Sequence, residues 1–177
     1  MNEWAGLAAF ALALSVSMAG VAGEEKIAFP ADYAANFVNY TDVDRADQKT
    51  VRKMYVNKAA AEVAAKGAVV PHGTVIVMEV RRAVANPAGE PILSANGRFQ
   101  ASNEVTAIFV MQKGPGWGAE YPAEKRNGEW EYAWFQPDGS RRANANYNGC
   151  FTCHKGQESV DYLFTAAQIK APDRRQN

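Results

Sequence analysis

Thr74-Val75-Ile76-Val77-Met78-Glu79-Val80 is the stretch on which the fold turns. β-Branched residues dominate it, and the turn Pro71-His72-Gly73 opens it, so it reads as a strand. The strand period puts Thr74, Ile76, Met78 and Val80 on one face. Upstream, residues 51–56 form a second strand in which Val51, Lys53 and Tyr55 alternate with Arg52, Met54 and Val56. Asn57 stands where it can cap an alanine-rich helix over 58–66, which Gly67 stops. Downstream, 86–97 is loop-like, and 104–111 is an apolar strand continuous enough to be covered on both faces. Gly114-Pro115-Gly116-Trp117-Gly118 breaks that strand. Residues 129–135 place Trp130, Tyr132 and Trp134 on one face at strand period, and Pro137-Asp138-Gly139 turns the chain again. Nearer the ends, 31–38 reads as a short helix with Tyr33 and Phe37 on one face. Residues 41–48 read as a polar, acidic connection and 160–169 as helix or coil. The expected class is α+β: a predominantly antiparallel β-sheet with two or three short helices.

The chain has 177 residues, enough for one well-filled core. Nineteen basic and nineteen acidic side chains cancel. With no net field, neither nucleic acid nor an anionic membrane is an expected partner. Residues 7–16 are an apolar run followed by the small residues Ala19, Gly20, Ala22 and Gly23, the pattern of an export signal. Residues 1–23 are therefore expected to be a secretory signal and 24–177 a single domain exported to the periplasm. Met1-Asn2-Glu3-Trp4 lacks the usual positive charge, and the alternative is a retained membrane anchor.

The chain's two cysteines both lie in Cys150-Phe151-Thr152-Cys153-His154. A structural disulfide would normally close a longer loop. The spacing C-x-x-C-H has a mechanical reason: two thiols can add to the two vinyl groups of one haem while the adjacent histidine reaches the iron. One covalent haem c, held by Cys150 and Cys153 and ligated by His154, is the leading expectation. A redox dithiol is the main rival, although the βαβ pattern that accompanies one is missing. A zinc site would need more ligands than His72 can add.

No methionine or histidine follows His154, so a second axial ligand would have to come from upstream: His72, Met54, Met78, Met111 or a lysine. Met78 has three readings: core filler, lining of the haem pocket, or direct ligand. His72 reads as a turn residue at the surface. Trp117, Trp130, Tyr132 and Trp134 read as core or haem-shielding walls. The pairs Arg81-Arg82 and Arg141-Arg142 read as solvated positions, with haem propionates as the alternative partners.

Several stretches together resemble the cytochrome P-460 and cytochrome c′-beta family across nearly the whole mature region. They are Phe29-Pro30-Ala31-Asp32-Tyr33, Val51-Arg52-Lys53-Met54-Tyr55-Val56-Asn57, Gly73-Thr74-Val75-Ile76-Val77-Met78-Glu79, the cysteine motif with Lys155, and Asp161-Tyr162-Leu163-Phe164-Thr165. The resemblance implies an antiparallel β domain, commonly a homodimer, with five-coordinate haem and an open distal side. In the hydroxylamine-oxidising branch a lysine of the G-T-V-x-V-K-E strand is cross-linked to haem; here Met78 holds that position. The branch's distal carboxylate has no counterpart in 106–110, so no base is at hand to take a proton. The resemblance further implies a distal pocket of Ile108, Phe109 and Met78, as in the gas-binding branch, and places Arg52 at a propionate or the distal rim.

The expected function is binding of nitric oxide or a similar small diatomic at the iron opposite His154, for scavenging, buffering or sensing. The rivals are an oxidoreductase acting on hydroxylamine or peroxide, and an electron-transfer cytochrome with Met78 as sixth ligand. A redox partner protein accompanies the last of these.

Overall fold

The computed structural model describes residues 26–67 and 69–172. Five strands form one antiparallel sheet in the order of the chain: β1 (Val38–Arg45), β2 (Thr50–Val56), β3 (Val75–Ala83), β4 (Ala101–Lys113) and β5 (Trp130–Phe135). Each strand returns beside its predecessor, the arrangement that short connections favour. Among the described residues, four short α-helices accompany the sheet: α1 (Tyr33–Asn36), α2 (Lys58–Ala65), α3 (Asn148–Lys155) and α4 (Ala166–Lys170). The α+β class expected from the sequence is the one observed.

Alternation along the strands divides the core in two. On one face lie Tyr55, Val77, Ile108, Val110, Ala133 and Phe135, covered by Ile27, Phe29 and Tyr33 from the N-terminal segment and α1. The opposite face carries Val56, Ile76, Met111, Trp130 and Tyr132. Against it pack Ala60 and Ala64 of α2, Phe151 of α3, Ile169 of α4, and Tyr162 and Leu163. We call these the closed face and the helix face. The helices roof only part of the latter.

Three local expectations are corrected. Residues 41–48 were expected to be a connection, yet most belong to β1. β1 is an edge strand, where acidic side chains are tolerated, and two of its carboxylates are paired: Asp42 with Lys53 at 2.9 Å and Asp44 with Arg98 at 2.7 Å. The helix expected over 31–38 shrinks to Tyr33–Asn36 because β1 starts at Val38. Asn57 occupies the N-cap position of α2 without capping it. Its side chain accepts from Val75 N at 2.9 Å and donates to Gly73 O at 3.2 Å, so it fastens the start of β3 instead.

Candidate functional site

The cysteine motif lies on α3. Phe151 seats the helix, with its ring 4.9 Å from Tyr132 and 4.8 Å from Tyr121. Asn127, itself buried, donates to Phe151 O at 3.0 Å and to the Tyr132 hydroxyl at 2.9 Å, which ties the helix to β5. One turn apart on the helix, Cys150 and Cys153 are free thiols on the same side, the first half-buried and the second exposed. Burial pushes the Cys150 thiol up.

His154 follows on the same turn, its ring 5.0 Å from Tyr132 and edge-on to Phe164 at 5.1 Å. Nδ1 lies 2.7 Å from Tyr162 O. A carbonyl can only accept, so Nδ1 carries the proton and Nε2 keeps its lone pair. Burial also lowers the His154 pKa, against the opposing pull of the Tyr162 carbonyl, so the imidazole is neutral. A metal-ligating histidine needs this tautomer, with its second nitrogen tied to a fixed acceptor.

Beyond the helices, Met54, Met78, Phe109 and Trp134 pair in register on four adjacent strands of the helix face. All four are half-buried, forming an apolar row beside the roofed part of that face. The Phe109 and Trp134 rings stack at 4.8 Å, and the Arg142 guanidinium covers Trp134 at 4.2 Å. The next row holds Arg52, Val80 and Ala107. Arg52 Nε is buried without a hydrogen-bond partner, as is Trp134 Nε1. Burial lowers the Arg52 pKa. Strand alternation puts Arg52 on the same sheet face as Met54, two residues along β2.

Ile108 must be removed from the pocket. It pairs with Glu79 and Phe135 and is buried on the closed face, because consecutive strand residues point to opposite sides. Phe109 alone of that couple faces the row. The same alternation turns Glu79 away from the site, where it accepts from Tyr33 and pairs with Arg81. His72 lies exposed at the surface in contact with Glu129. Trp117 packs on the closed-face cluster and Trp130 in the helix-face core. Among the described residues, no group of three or more His, Cys, Asp or Glu side chains converges on a common point.

The residues missed by sequence reasoning are those around His154. Tyr162 supplies its acceptor, and Phe164 its edge contact although 54% exposed. Consecutive non-glycine residues in the left-handed region carry the signal: Asp161 at φ 55° and Tyr162 at φ 62°. Only side chains, and no glycine, mark that turn in the sequence.

These residues fit a haem. Two thiols on one helical side and a neutral imidazole with a free Nε2 supply the donors. The open apolar row gives the macrocycle a wall, and Phe164 a second surface to cover. Arg52 Nε is a buried donor awaiting an anionic acceptor.

A family model described as Cytochrome P460 matches residues 30–165. A comparison with curated proteins gave no match.

Proposed function

The chain belongs to the cytochrome P460 family, a family of haem proteins, and on that premise we propose that it takes nitric oxide or a similar neutral diatomic at a haem iron ligated by His154. The observation that carries this reading is the row Met54, Met78, Phe109 and Trp134, which offers neither an amine nor an acid. Carboxylates able to move protons would suit hydroxylamine or peroxide chemistry. The acid next to Met78, Glu79, is buried on the other face and engaged by Tyr33 and Arg81. An apolar surround disfavours charged oxygen species and leaves uncharged gases as the ligands of choice.

Cys150 and Cys153 would hold the group through two thioethers, His154 Nε2 would bind the iron, and Arg52 would meet a propionate or the rim of the distal space. The bound group would supply one open coordination position and a change of iron oxidation state. Tyr162, Tyr132 and Phe164 keep the imidazole oriented, while the apolar row keeps water and anions from the open side. In this reading residues 24–177 form the exported domain, which works in the periplasm as a homodimer. Residues 1–23, the expected signal, lie outside the described residues. Scavenging, buffering or sensing of nitrogen oxides follows from such a site.

Stopped-flow mixing of the ferrous protein with nitric oxide tests the reading. A fast spectral change that saturates with the gas is expected, and a spectrum that does not respond overturns it. Haem that remains with the chain on denaturing electrophoresis is expected of the thioethers. A second reading has one observation in its favour, the central place of Met78 in the row: His154 and Met78 would together make an electron-transfer centre with a redox partner protein. It requires a low-spin ferric spectrum with a sulfur-to-iron band, whereas the gas-binding reading requires a high-spin one.

A further inference from the structure

We propose that the ion pair between Lys113 and Asp161 is a positioning device that sets how strongly His154 binds iron. It rests on the reading above for the presence of that iron. Lys113 is the last residue of β4, and its Nζ lies 2.9 Å from Asp161 Oδ2 and 3.2 Å from Val70 O. Both side chains are largely shielded, with 13% and 25% of their surface exposed. A cation so held, with carboxylate and carbonyl acceptors, is charge-assisted and weakly screened.

Asp161 and Tyr162 adopt successive left-handed conformations, at φ 55° and 62°. Residues with a Cβ rarely visit that region, and they persist there only where their surroundings over-determine them. Here Lys113 anchors the Asp161 side chain, Asp161 N donates to Glu158 O at 3.1 Å, and Tyr162 N donates to Gln157 O at 2.8 Å. The Tyr162 hydroxyl donates to Glu158 Oε1 at 3.0 Å. Held in this way, the reversed chain directs Tyr162 O at His154 Nδ1, 2.7 Å away.

The acceptor on Nδ1 governs the donor strength of Nε2: a firmly held carbonyl makes the imidazole more basic and its bond to iron stronger. Release of Asp161 lets the strained pair relax and the carbonyl swing from the ring. In the haem-loaded protein, Tyr162 O would thus help set how firmly His154 holds the iron. β4 thereby serves both sides of the site, with Phe109 on the open row and Lys113 on the tether behind His154.

Asp161→Asn, Lys113→Met and Lys113→Arg in the haem-loaded protein provide the test. Asparagine tolerates the left-handed region, so Asp161→Asn removes the charge with the least disturbance of folding. In ferrous protein, resonance Raman should show the iron–histidine stretch at lower frequency in Asp161→Asn and Lys113→Met. The reduction potential should rise in both, and Lys113→Arg should keep both readouts near wild type. Should Lys113→Met fail to fold, Asp161→Asn decides alone. A wild-type band that neither charge-removing variant moves overturns the positioning role and leaves the gas-binding reading standing. A wild-type protein without haem overturns both.

Discussion

Tyr33 donates its phenolic hydrogen to Glu79 on the sheet face turned away from the cysteine motif, and Arg81 pairs with the other carboxylate oxygen. Two segments that stand apart in the sequence, Phe29-Pro30-Ala31-Asp32-Tyr33 and the β3 strand, thereby close on one buried contact. Tyr33 and Glu79 are 5% and 2% exposed, and Tyr55 packs edge-on to Tyr33 at 5.2 Å. Burial, reinforced by the bond to Glu79, pushes the Tyr33 phenol far up. β3 thus divides its work between neighbours: Met78 faces the open row while Glu79 fastens the N-terminal cover.

Tyr33→Phe should therefore be a stability variant and not a ligand-binding one. It removes a hydrogen bond to a charged acceptor, worth about 1.5–3 kcal/mol, and leaves Glu79 with Arg81. Urea unfolding should give a lower midpoint with the same slope, and the ferric and ferrous spectra should match wild type. A changed spectrum would mean that the closed face communicates with the iron.

Acid stability should depend on Asp44. Burial pushes its carboxyl up, but two hydrogen bonds from Arg98 and one from Phe99 N outweigh it and hold the pKa below the usual value. A carboxyl with a depressed folded-state pKa contributes stability above its unfolded value of about 3.9 and loses it as pH falls through the folded value. With 38% and 22% of the two side chains exposed, about 1 kcal/mol is the expected contribution. Asp44→Asn should be less stable than wild type at neutral pH by that amount, and the difference should shrink as pH falls through the lowered folded-state value. A difference unchanged by acid would assign the loss to packing instead.

Met78 separates the two readings of the site. If it lines the pocket, Met78→Ala keeps a high-spin ferric spectrum and costs about 1–2 kcal/mol for a half-buried side chain. If its sulfur is a ligand, a low-spin wild-type spectrum becomes high-spin in the variant and the reduction potential falls. Visible and near-infrared absorption of the two proteins decides.

Much of this architecture was legible in the sequence, because strand period and turn residues are local signals. Ile76 and Met78 share a face, as do Trp130, Tyr132 and Trp134. β1 was hidden because its carboxylates resemble a loop until Lys53 and Arg98 are brought against them by pairing and by the connection after β3. The left-handed turn at Asp161 and Tyr162 has no local glycine to mark it, and the ion pair that Asp161 makes is with Lys113, far away in the chain. Resemblance placed Ile108 and Phe109 together in one pocket, although alternation sends consecutive residues to opposite sides.

That correction gives a paired comparison. Ile108 is 2% exposed among Val110, Phe135 and Tyr33, whereas Phe109 stands half-buried beside Met78 and Trp134. Ile108→Ala deletes well-packed atoms and should cost about 2–5 kcal/mol. Its nitric oxide association and dissociation rates should stay at wild-type values, since no part of the side chain reaches the row. Phe109→Ala opens the row beside Met78 and removes the ring that stacks on Trp134 at 4.8 Å. Part of that ring is already solvated, so the stability loss should be smaller, while the gas kinetics should change as water and ligand gain room. Denaturant midpoints and stopped-flow rates on both variants test the assignment together. Ligand rates altered by Ile108→Ala and untouched by Phe109→Ala would place the open coordination site on the wrong face of the sheet.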